Sequence, residues 1–552
     1  MSSDGFIYQK QRWTGAGRHP CVAENAVVAS KHPLIGEAGL KMIKLGGNAV
    51  DAAVASAFMD CVVEPAMNGI GGEGVMTIHL KSGENIVIDY VGRPASASGP
   101  EMYELEEATE AGWMGWKKVK GDENVVGHKA CVVPGTVAGL TTALERYGTL
   151  TLRQVIEPAA KVAEEGFVVA PKVGSDWAGD APRLAADPVS SKIVLVDGKA
   201  PAIGSIFKAP LLAATLKKIA AKGRDGFYTG EVAEDIVSHL NSRGGLHTLE
   251  DFASAAPEYV EPIKTTYKGL DIYECPPNGQ GITALIILNI LSGFDLKDAG
   301  LSEADRIHLL AEATKLAYHQ RDDYIADPNQ VKIPVEKILS AGYADALRAR
   351  IDMGKAGAPV SVDVDSVEHK DTTYLCVVDK DGNAISFINS VFHGFGSTIV
   401  TPKTGVVLQN RGLSFKFAPG HVNSIAPGKR PMHTIIPAMA MKGDTCVGPF
   451  GVMGGQYQST GHAGFISNIL DRGMDIQEAM DAPRTFAYAG PLQVENGVDA
   501  ATIADLEKRG HTVERAPAKK PIGGSQAIFR DLETGVLVAG SDPRKDGCAL
   551  GY

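Results

Sequence analysis

The 552-residue sequence has no long apolar run, no paired-cysteine motif and no excess of positive charge. Its longest apolar stretches, such as Gly281–Leu291, are too short to span a bilayer. The first ten residues contain no apolar segment of the kind found in a signal peptide. We therefore predict a cytoplasmic protein that is neither inserted in nor exported across a membrane.

Cysteine usage and net charge exclude further classes of protein. The seven cysteines are scattered and form no CxxC pair, which argues against a disulfide scaffold or a cysteine-built zinc site. The formal net charge of −11 argues against nucleic acid or an anionic membrane as the partner. The scattered cysteines also suit a reducing compartment.

Several catalytic motifs are also missing. The HExxH, GxxxxGK[ST] and GxSxG patterns are absent, and the fourteen histidines show no ligand-like spacing along the chain. Residues 69–74 match GxGxxG, but a proline-containing stretch precedes them and a strand pattern follows. A dinucleotide site needs that motif between a strand and a helix. We expect tight backbone packing there, and no metal ion or cofactor.

The secondary-structure signals divide the chain into two parts. A helix is predicted from Pro33, and Asn48 with Asp51 predicts the capped start of a second. Ser302 and Asp305 similarly open a predicted amphipathic helix. Residues 354–371 are mostly small or polar and predict an exposed loop, after which 372–392 predict a strand hairpin of two alternating strands. Helices dominate before this boundary and strands after it.

Thr372 stands directly at that boundary. A threonine at the start of a strand is most often only a strand-forming residue. If the bond between Asp371 and Thr372 were cut, however, Thr372 would become an N-terminal residue with a free α-amino group. That amine could act as general base for the Thr372 hydroxyl. Gly454 and Gly455 could supply backbone N–H groups as an oxyanion hole, although a glycine pair is also typical of an ordinary turn.

With these residues the chain resembles the γ-glutamyltranspeptidase family of N-terminal-nucleophile hydrolases. The resemblance spans nearly the full length and includes the segments "GGNAVDAA", "PPNGQG", "AEATKLAY" and "TTYLCVVDKDGNAIS". It implies an α+β fold, a four-layer αββα sandwich. It also implies self-cleavage into a large subunit, residues 1–371, and a small subunit, residues 372–552. Thr372 matches the family's nucleophile, Ser390 a second hydroxyl residue that hydrogen-bonds it, and Gly454 and Gly455 the oxyanion-hole pair.

The residues that match the family's amino-acid clamp depart from the usual pattern. Val91 falls where the family has an arginine, and Arg93 follows two residues later. At five further clamp positions the residue differs from the usual one: Phe392, Arg411, Ser414, His433 and Thr434. Ser414 replaces the acid that holds a substrate ammonium, whereas Arg411 adds a planar donor suited to a carboxylate. This pattern resembles the branch that contains oxamate amidohydrolase and cephalosporin-acylase-like members.

The sequence therefore predicts a self-processing amide hydrolase that acts on a small carboxylate-bearing amide. Two alternatives stay open. One is a γ-glutamyltransferase or glutathione hydrolase, in which Arg93 supplies the missing arginine. The other is an uncut, inactive relative with a binding role. Whether processed pairs of subunits form dimers also stays open.

Overall fold

The computed structural model describes residues 18–106, 117–298, 300–358, 372–418, 420–488, 490–518 and 520–552. Asp371, half of the predicted cleavage bond, lies outside these ranges. The α-helices within them are α1 Pro33–Lys44, α2 Ala49–Val63, α3 Thr136–Tyr147, α4 Leu152–Glu165, α5 Pro171–Ala185, α6 Pro188–Val194, α7 Pro210–Lys222, α8 Asp225–Tyr228, α9 Gly230–Asn241, α10 Leu249–Ala253, α11 Gly281–Leu291, α12 Glu303–Tyr324, α13 Val335–Ile338, α14 Ala341–Arg348, α15 Gln458–Leu470, α16 Ile476–Asp481 and α17 Ala500–Lys508.

The strands in the same ranges are β1 Cys21–Ala23, β2 Val27–Ser30, β3 Glu73–His79, β4 Asn85–Asp89, β5 Phe167–Val168, β6 Ile206–Phe207, β7 Glu258–Val260, β8 Ile263–Tyr267, β9 Leu270–Glu274, β10 Thr373–Val378, β11 Ala384–Ser390, β12 Ala438–Lys442, β13 Thr445–Met453, β14 Thr485–Phe486, β15 Leu492–Val494, β16 Val513–Arg515, β17 Gly524–Arg530, β18 Leu537–Ser541 and β19 Cys548–Gly551. Two seven-stranded antiparallel sheets organise most of them. The first has the order β1-β18-β17-β13-β12-β9-β8, and the second β19-β2-β10-β11-β3-β4-β7.

The two sheets pack face to face and helices cover both outer faces. Tyr374, Ile388, Met439 and Ile528 belong to one apolar core between the sheets. A second core joins the outer face of the β10 sheet to α1–α4, and a third joins the outer face of the β13 sheet to α11, α12 and α15. The predicted four-layer αββα sandwich is thus confirmed.

The predicted hairpin is confirmed as β10 and β11, which pair antiparallel around residues 379–383. Every residue of both strands is buried. Successive side chains therefore point alternately into two different cores, and none points to solvent. Leu375 and Val377 face the helices, whereas Tyr374 and Cys376 face the other sheet. Strands at the centre of a four-layer sandwich carry apolar side chains on both faces for this reason.

The helix starts were also predicted correctly. Asn48 with Asp51, and Ser302 with Asp305, form capping boxes at the first residues of α2 and α12. The prediction that α12 is amphipathic was wrong, because both its polar and its apolar positions are largely buried. The helix lies between the third core and residues 352–357, so little of its surface is exposed to solvent.

The glycine-rich run 69–74 serves backbone packing, as predicted. A Cβ atom on Gly72 would lie 2.5 Å from the carbonyl oxygen of Ser390, and one on Gly74 2.5 Å from that of Ile388. Only glycine allows strand β3 and the loop before it to approach β11 this closely.

Each large sheet takes strands from both sides of Thr372. Strands β1, β8 and β9 precede it in one sheet, and β2, β3, β4 and β7 precede it in the other. Residues on the two sides therefore fold as one body. None of the described helices combines the length and hydropathy needed to cross a bilayer. All seven cysteines lie in the described ranges and are free thiols.

Candidate active site

Thr372 immediately precedes β10 and lies opposite the end of β11. The antiparallel register pairs Thr373 with Asn389, which brings the side chain of Thr372 next to that of Ser390. Their hydroxyl oxygens are 3.4 Å apart, a long contact for two hydroxyl groups. The Ser390 hydroxyl accepts a hydrogen bond of 2.8 Å from the backbone N–H of Phe392, so its own proton can point towards Thr372.

A buried polar network holds the start of β10 in place. The Thr373 hydroxyl donates to the Asn389 carbonyl and accepts a 2.8 Å hydrogen bond from the Asn68 side-chain amide. The same amide donates to Asp60 on α2 at 2.7 Å. Burial raises the pKa of Asp60 to about 6, although hydrogen bonds from Thr373 and Asn68 and the charge of Lys31 pull it down. These buried hydrogen bonds hold the backbone on which Thr372 sits.

Gly454 and Gly455 follow β13 and precede α15. Their φ angles are 123° and 55°, in the region that favours glycine. Within the described ranges neither N–H group donates a hydrogen bond to the protein. The Gln280 side-chain amide donates to the carbonyls of both Gly455 and Thr434, each at 3.0 Å. The glycine loop is thereby tied to the segment that carries Thr434.

Arg411 lies in a short helical turn and is completely buried. Its Nε atom donates to the carboxylate of Glu73, which is also fully buried. Its Nη1 atom lies 3.3 Å from the Thr434 hydroxyl, and its guanidinium stacks 3.9 Å from the centre of the Phe392 ring. Burial raises the pKa of Glu73 and lowers that of Arg411, because it disfavours both charges; their mutual attraction opposes both shifts.

One donor of Arg411 is left over. Its Nη2 atom is buried and has no hydrogen-bond partner within the described residues. The Nδ1 atom of the neighbouring His433 is buried and unpaired in the same sense. Burial and the charges of Arg411 and Arg430 hold the pKa of His433 well below its usual range, so its ring is neutral. A buried arginine donor without a partner is costly, which makes it a natural contact for a bound anion.

Phe392 and Ser414 complete the surroundings of Arg411. Phe392 has a φ angle of 78°, which is strained for a bulky side chain. The hydrogen bond from its backbone N–H to the Ser390 hydroxyl and the stacking of its ring on Arg411 hold Phe392 in this conformation. Ser414 ends the turn that Arg411 begins, and its carbonyl accepts a 2.7 Å hydrogen bond from Asn423. Ser414 is buried and brings no charge to the site.

Arg93 is engaged elsewhere. Its guanidinium, half-exposed, pairs with Glu258 and with the Gly428 carbonyl, and lies 3.6 Å from Asp327. In the described part of the chain no hydrogen bond or ion pair joins it to the Thr372 or Arg411 surroundings. Val91 is buried in the core between the sheets. The carboxylates around Arg93 already satisfy its charge.

Sequence reasoning missed Glu73 and Gln280 as individual residues, although Glu73 lies in the glycine-rich run 69–74 and Gln280 in the segment "PPNGQG" that carries the family resemblance. Glu73 is an acid at the start of a fully buried strand whose next positions, 74–76, carry no charge. A buried acid in such a strand needs a cationic partner, which is the signal that could have identified it. The partner itself, 338 positions away, could not be read from the sequence.

Comparison with known proteins agrees with this architecture. The family model of gamma-glutamyltranspeptidase matches residues 36–552. The glutathione hydrolase-like YwrD proenzyme of Bacillus subtilis is 36% identical over 539 residues, covering 96% of this chain and 99% of that protein. The acylase ACY 1 proenzyme of Pseudomonas sp. strain SE83 is 36% identical over 531 residues, covering 96% and 94%.

Two further relatives bear on the site. The oxamate amidohydrolase proenzyme of Klebsiella pneumoniae is 33% identical over 543 residues, covering 96% of this chain and 99% of that protein. The crystal structure of cephalosporin acylase from Bacillus halodurans superposes with a TM-score of 0.88 at 35% identity, covering 99% of each chain. The chain therefore belongs to the γ-glutamyltranspeptidase family of N-terminal-nucleophile hydrolases and is an amide-cleaving enzyme.

Proposed function

We propose that the chain cuts itself between Asp371 and Thr372 and then hydrolyses a small amide whose acyl part carries a carboxylate. The unpaired, buried Nη2 of Arg411 is the observation that carries the substrate class. The proenzyme relatives, and the contact between Thr372 and Ser390, support self-cleavage and the choice of nucleophile.

In the proposed reaction, the Thr372 hydroxyl oxygen attacks the substrate carbonyl while the Thr372 α-amine takes the hydroxyl proton. The backbone N–H groups of Gly454 and Gly455 donate to the oxyanion that forms. Collapse of the tetrahedral intermediate breaks the C–N bond, and the amine returns its proton to the leaving nitrogen. Water then attacks the acyl-enzyme by the same route in reverse and releases the acid.

The proposed substrate places its carboxylate against Arg411. Since Glu73 already holds the Nε edge, a carboxylate would accept from Nη2, with the uncharged His433 and Thr434 beside it. A γ-glutamyl group also brings an ammonium, and Ser414 offers it no charge. Burying an unpaired ammonium costs on the order of a hundredfold in kcat/KM.

Self-cleavage is tested by intact mass and N-terminal sequencing of the purified protein. We expect two chains, the smaller beginning Thr-Thr-Tyr-Leu. Thr372→Ala is expected to stay one chain, and Thr372→Ser, which keeps a hydroxyl, to be cut. A wild-type protein that persists as one chain of full mass would instead support the inactive relative.

The substrate class is tested by comparing oxamate, glutaryl amides and glutathione as substrates of the cleaved protein. We expect turnover of the carboxylate-bearing amides and weak turnover of glutathione. The glutathione hydrolase alternative is supported by similarity to glutathione hydrolase proenzymes, among them that of Escherichia coli at 32% identity. Efficient glutathione cleavage together with no turnover of the other amides would favour that alternative.

A further inference from the structure

A second group of chemically active side chains lies away from the Thr372 site, where α12 meets the loop before β16. His308 and Glu312 are four residues apart on α12 and so share one helix face. His511 comes from the loop after α17. All three are buried, and their candidate ligand atoms lie within 4.8 Å of one another. We call these three residues the His308 cluster.

Hydrogen bonds fix the state of the two imidazoles. The Nε2 atom of His308 lies 2.9 Å from the Asp352 carbonyl oxygen, so it must carry a proton and donate. The lone pair of His308 Nδ1 therefore points to His511 Nε2, 2.8 Å away. Metal-binding histidines are commonly oriented by such a bond from the remote nitrogen to a backbone carbonyl. Burial and the charge of Lys315 lower the pKa of His511 to about 3, which keeps its ring neutral.

The separations are close to those of a metal site. His308 Nδ1 and His511 Nε2 are 2.8 Å apart, and His511 Nε2 is 3.9 Å from Glu312 Oε1. Ligand atoms at zinc bond lengths of about 2.0–2.2 Å stand about 3.0–3.5 Å apart. The ligand atoms of all three residues lie within 4.8 Å of one another. Shifts of about an ångström, with the His511 proton moved to its Nδ1, would allow all three to bind one ion.

Space for entry and for water ligands lies beside the cluster. A cavity of about 240 Å³ is lined by His511, Lys315, Gly357 and Thr512. One water molecule in the liquid occupies about 30 Å³. The cavity therefore has room for a water molecule bound to the ion at its remaining coordination position.

Among the described residues, the Lys315 ammonium is the cation in direct contact with Glu312, and it opposes the binding of a metal ion. Its ammonium lies 2.6 Å from Glu312 Oε1 and donates to the Gly357 carbonyl at 2.9 Å. The other oxygen of Glu312 accepts from the Gly357 N–H at 3.0 Å. Because Lys315 borders the cavity and has a flexible side chain, its ammonium can leave Glu312 for the cavity.

We propose that His308, Glu312 and His511 bind a zinc-type divalent transition-metal ion, which displaces Lys315 from Glu312. Two imidazoles and one carboxylate are the ligand set that such ions prefer. His308 and Glu312 precede Thr372 and His511 follows it. If the chain is cut as proposed above, the ion also joins the two subunits; only this consequence rests on the proposed function.

The test is calorimetric titration of the EDTA-treated full-length protein with zinc chloride, with cobalt chloride as a second probe followed by its visible absorption. We expect one equivalent bound by the wild type. His511→Gln and Glu312→Gln are expected to bind at least tenfold more weakly, and Lys315→Met at least tenfold more tightly. Glu312→Gln keeps an acceptor for Gly357, so it guards against a His511 variant that fails to fold.

His319→Gln is the matched control, because it removes a histidine from α12 outside the cluster and should bind zinc as the wild type does. The uncut Thr372→Ala variant should also bind normally, so failure of cleavage and failure of metal binding are seen separately. A wild type that binds no zinc, or a Glu312→Gln variant with wild-type affinity, would overturn the proposal.

Discussion

At the scale of single residues, Arg411 has a structural and a recognition role. Its Nε edge neutralises Glu73 inside the protein, and its Nη2 atom is left for a ligand. The pair has no net charge, so recognition of a carboxylate depends on the direction of the remaining donor more than on long-range attraction. Lysine carries the same charge, but its donors all lie on one nitrogen and lack the planar fork of a guanidinium.

We therefore predict that Arg411→Lys raises KM for a carboxylate-bearing amide by about tenfold or more, because a single nitrogen cannot hold Glu73 and reach the substrate as Nε and Nη2 do. Its melting temperature should change little, since Lys can still face Glu73. Steady-state kinetics with oxamate and thermal unfolding measure the two effects. An unchanged KM would show that Arg411 does not contact the substrate.

The matched control is Arg411→Met, alone and combined with Glu73→Gln. Arg411→Met leaves the buried Glu73 carboxylate without its cationic partner, which costs about 3–5 kcal/mol of stability. The double variant removes that charge and should recover most of the loss. Equal destabilisation by the single and double variants would contradict the pairing.

At the scale of elements, the loop between β13 and α15 combines a backbone conformation with a proposed chemical role. Gly454 has a φ angle of 123°, and a Cβ atom there would lie 2.9 Å from the Cα atom of Gly523. A side chain would have to shift the loop, and with it the N–H groups proposed to stabilise the oxyanion.

We predict that Gly454→Ala lowers kcat by about 100-fold or more, the usual cost of losing one oxyanion donor. The control is Gly443→Ala in the turn between β12 and β13, where φ is 59° and a Cβ atom would meet nothing within 4 Å. That variant should lose only about 1–2 kcal/mol of stability and keep its activity. Wild-type kcat in Gly454→Ala would exclude the loop from the reaction.

The contact between α2 and β10 predicts a pH effect on stability. The pKa of Asp60 is raised from 3.8 to about 6 in the folded protein, so the folded state binds this proton more tightly than the unfolded state. Its contribution to stability is therefore fully present below pH 4 and is lost as the pH rises to about 6. A shift of about two units corresponds to about 3 kcal/mol.

Asp60→Asn removes this titration. The free energy of unfolding of the variant minus that of the wild type should thus increase between pH 4 and pH 7. This trend does not depend on which protein is the more stable at any single pH. Thermal unfolding of both proteins across that range measures the difference. Parallel pH curves would show that Asp60 is not protonated preferentially in the folded state.

At the scale of the whole molecule, both sheets are built from residues on each side of Thr372. In the second sheet β10 lies between β2 and β11, and β11 between β10 and β3. The segment 372–552 alone would thus expose the edges and apolar faces of β10 and β11.

We predict that the cleaved chains stay together through native size-exclusion chromatography and separate only in denaturant, unfolding in one transition. Residues 372–552 produced alone should be insoluble, because exposed strand edges and apolar faces promote aggregation. The uncut Thr372→Ala protein is the control for size and for the unfolding transition. A soluble, folded 372–552 fragment would contradict this prediction.

Much of the fold could be predicted from local patterns. The capping residues Asn48 and Ser302 start their helices as predicted, and the β10–β11 hairpin forms around the predicted turn. These features depend on neighbours within a few positions, so the sequence carries the whole signal. Thr372 and the glycine pair were candidates from their setting in the sequence, Ser390 came from the family resemblance, and the roles of all four residues stay predictions.

What only the tertiary structure decided are contacts between distant segments. The packing of the short turn 411–414 against the start of β3 brings Arg411 against Glu73, and the packing of α12 brings His308 against His511. Arg93 pairs with Glu258 instead of reaching the Thr372 site. The sequence by itself determined the local elements and the family, because these follow from short-range spacing. The partner of each buried charge followed from how the layers stack, since desolvation and pairing depend on which distant groups share one interior.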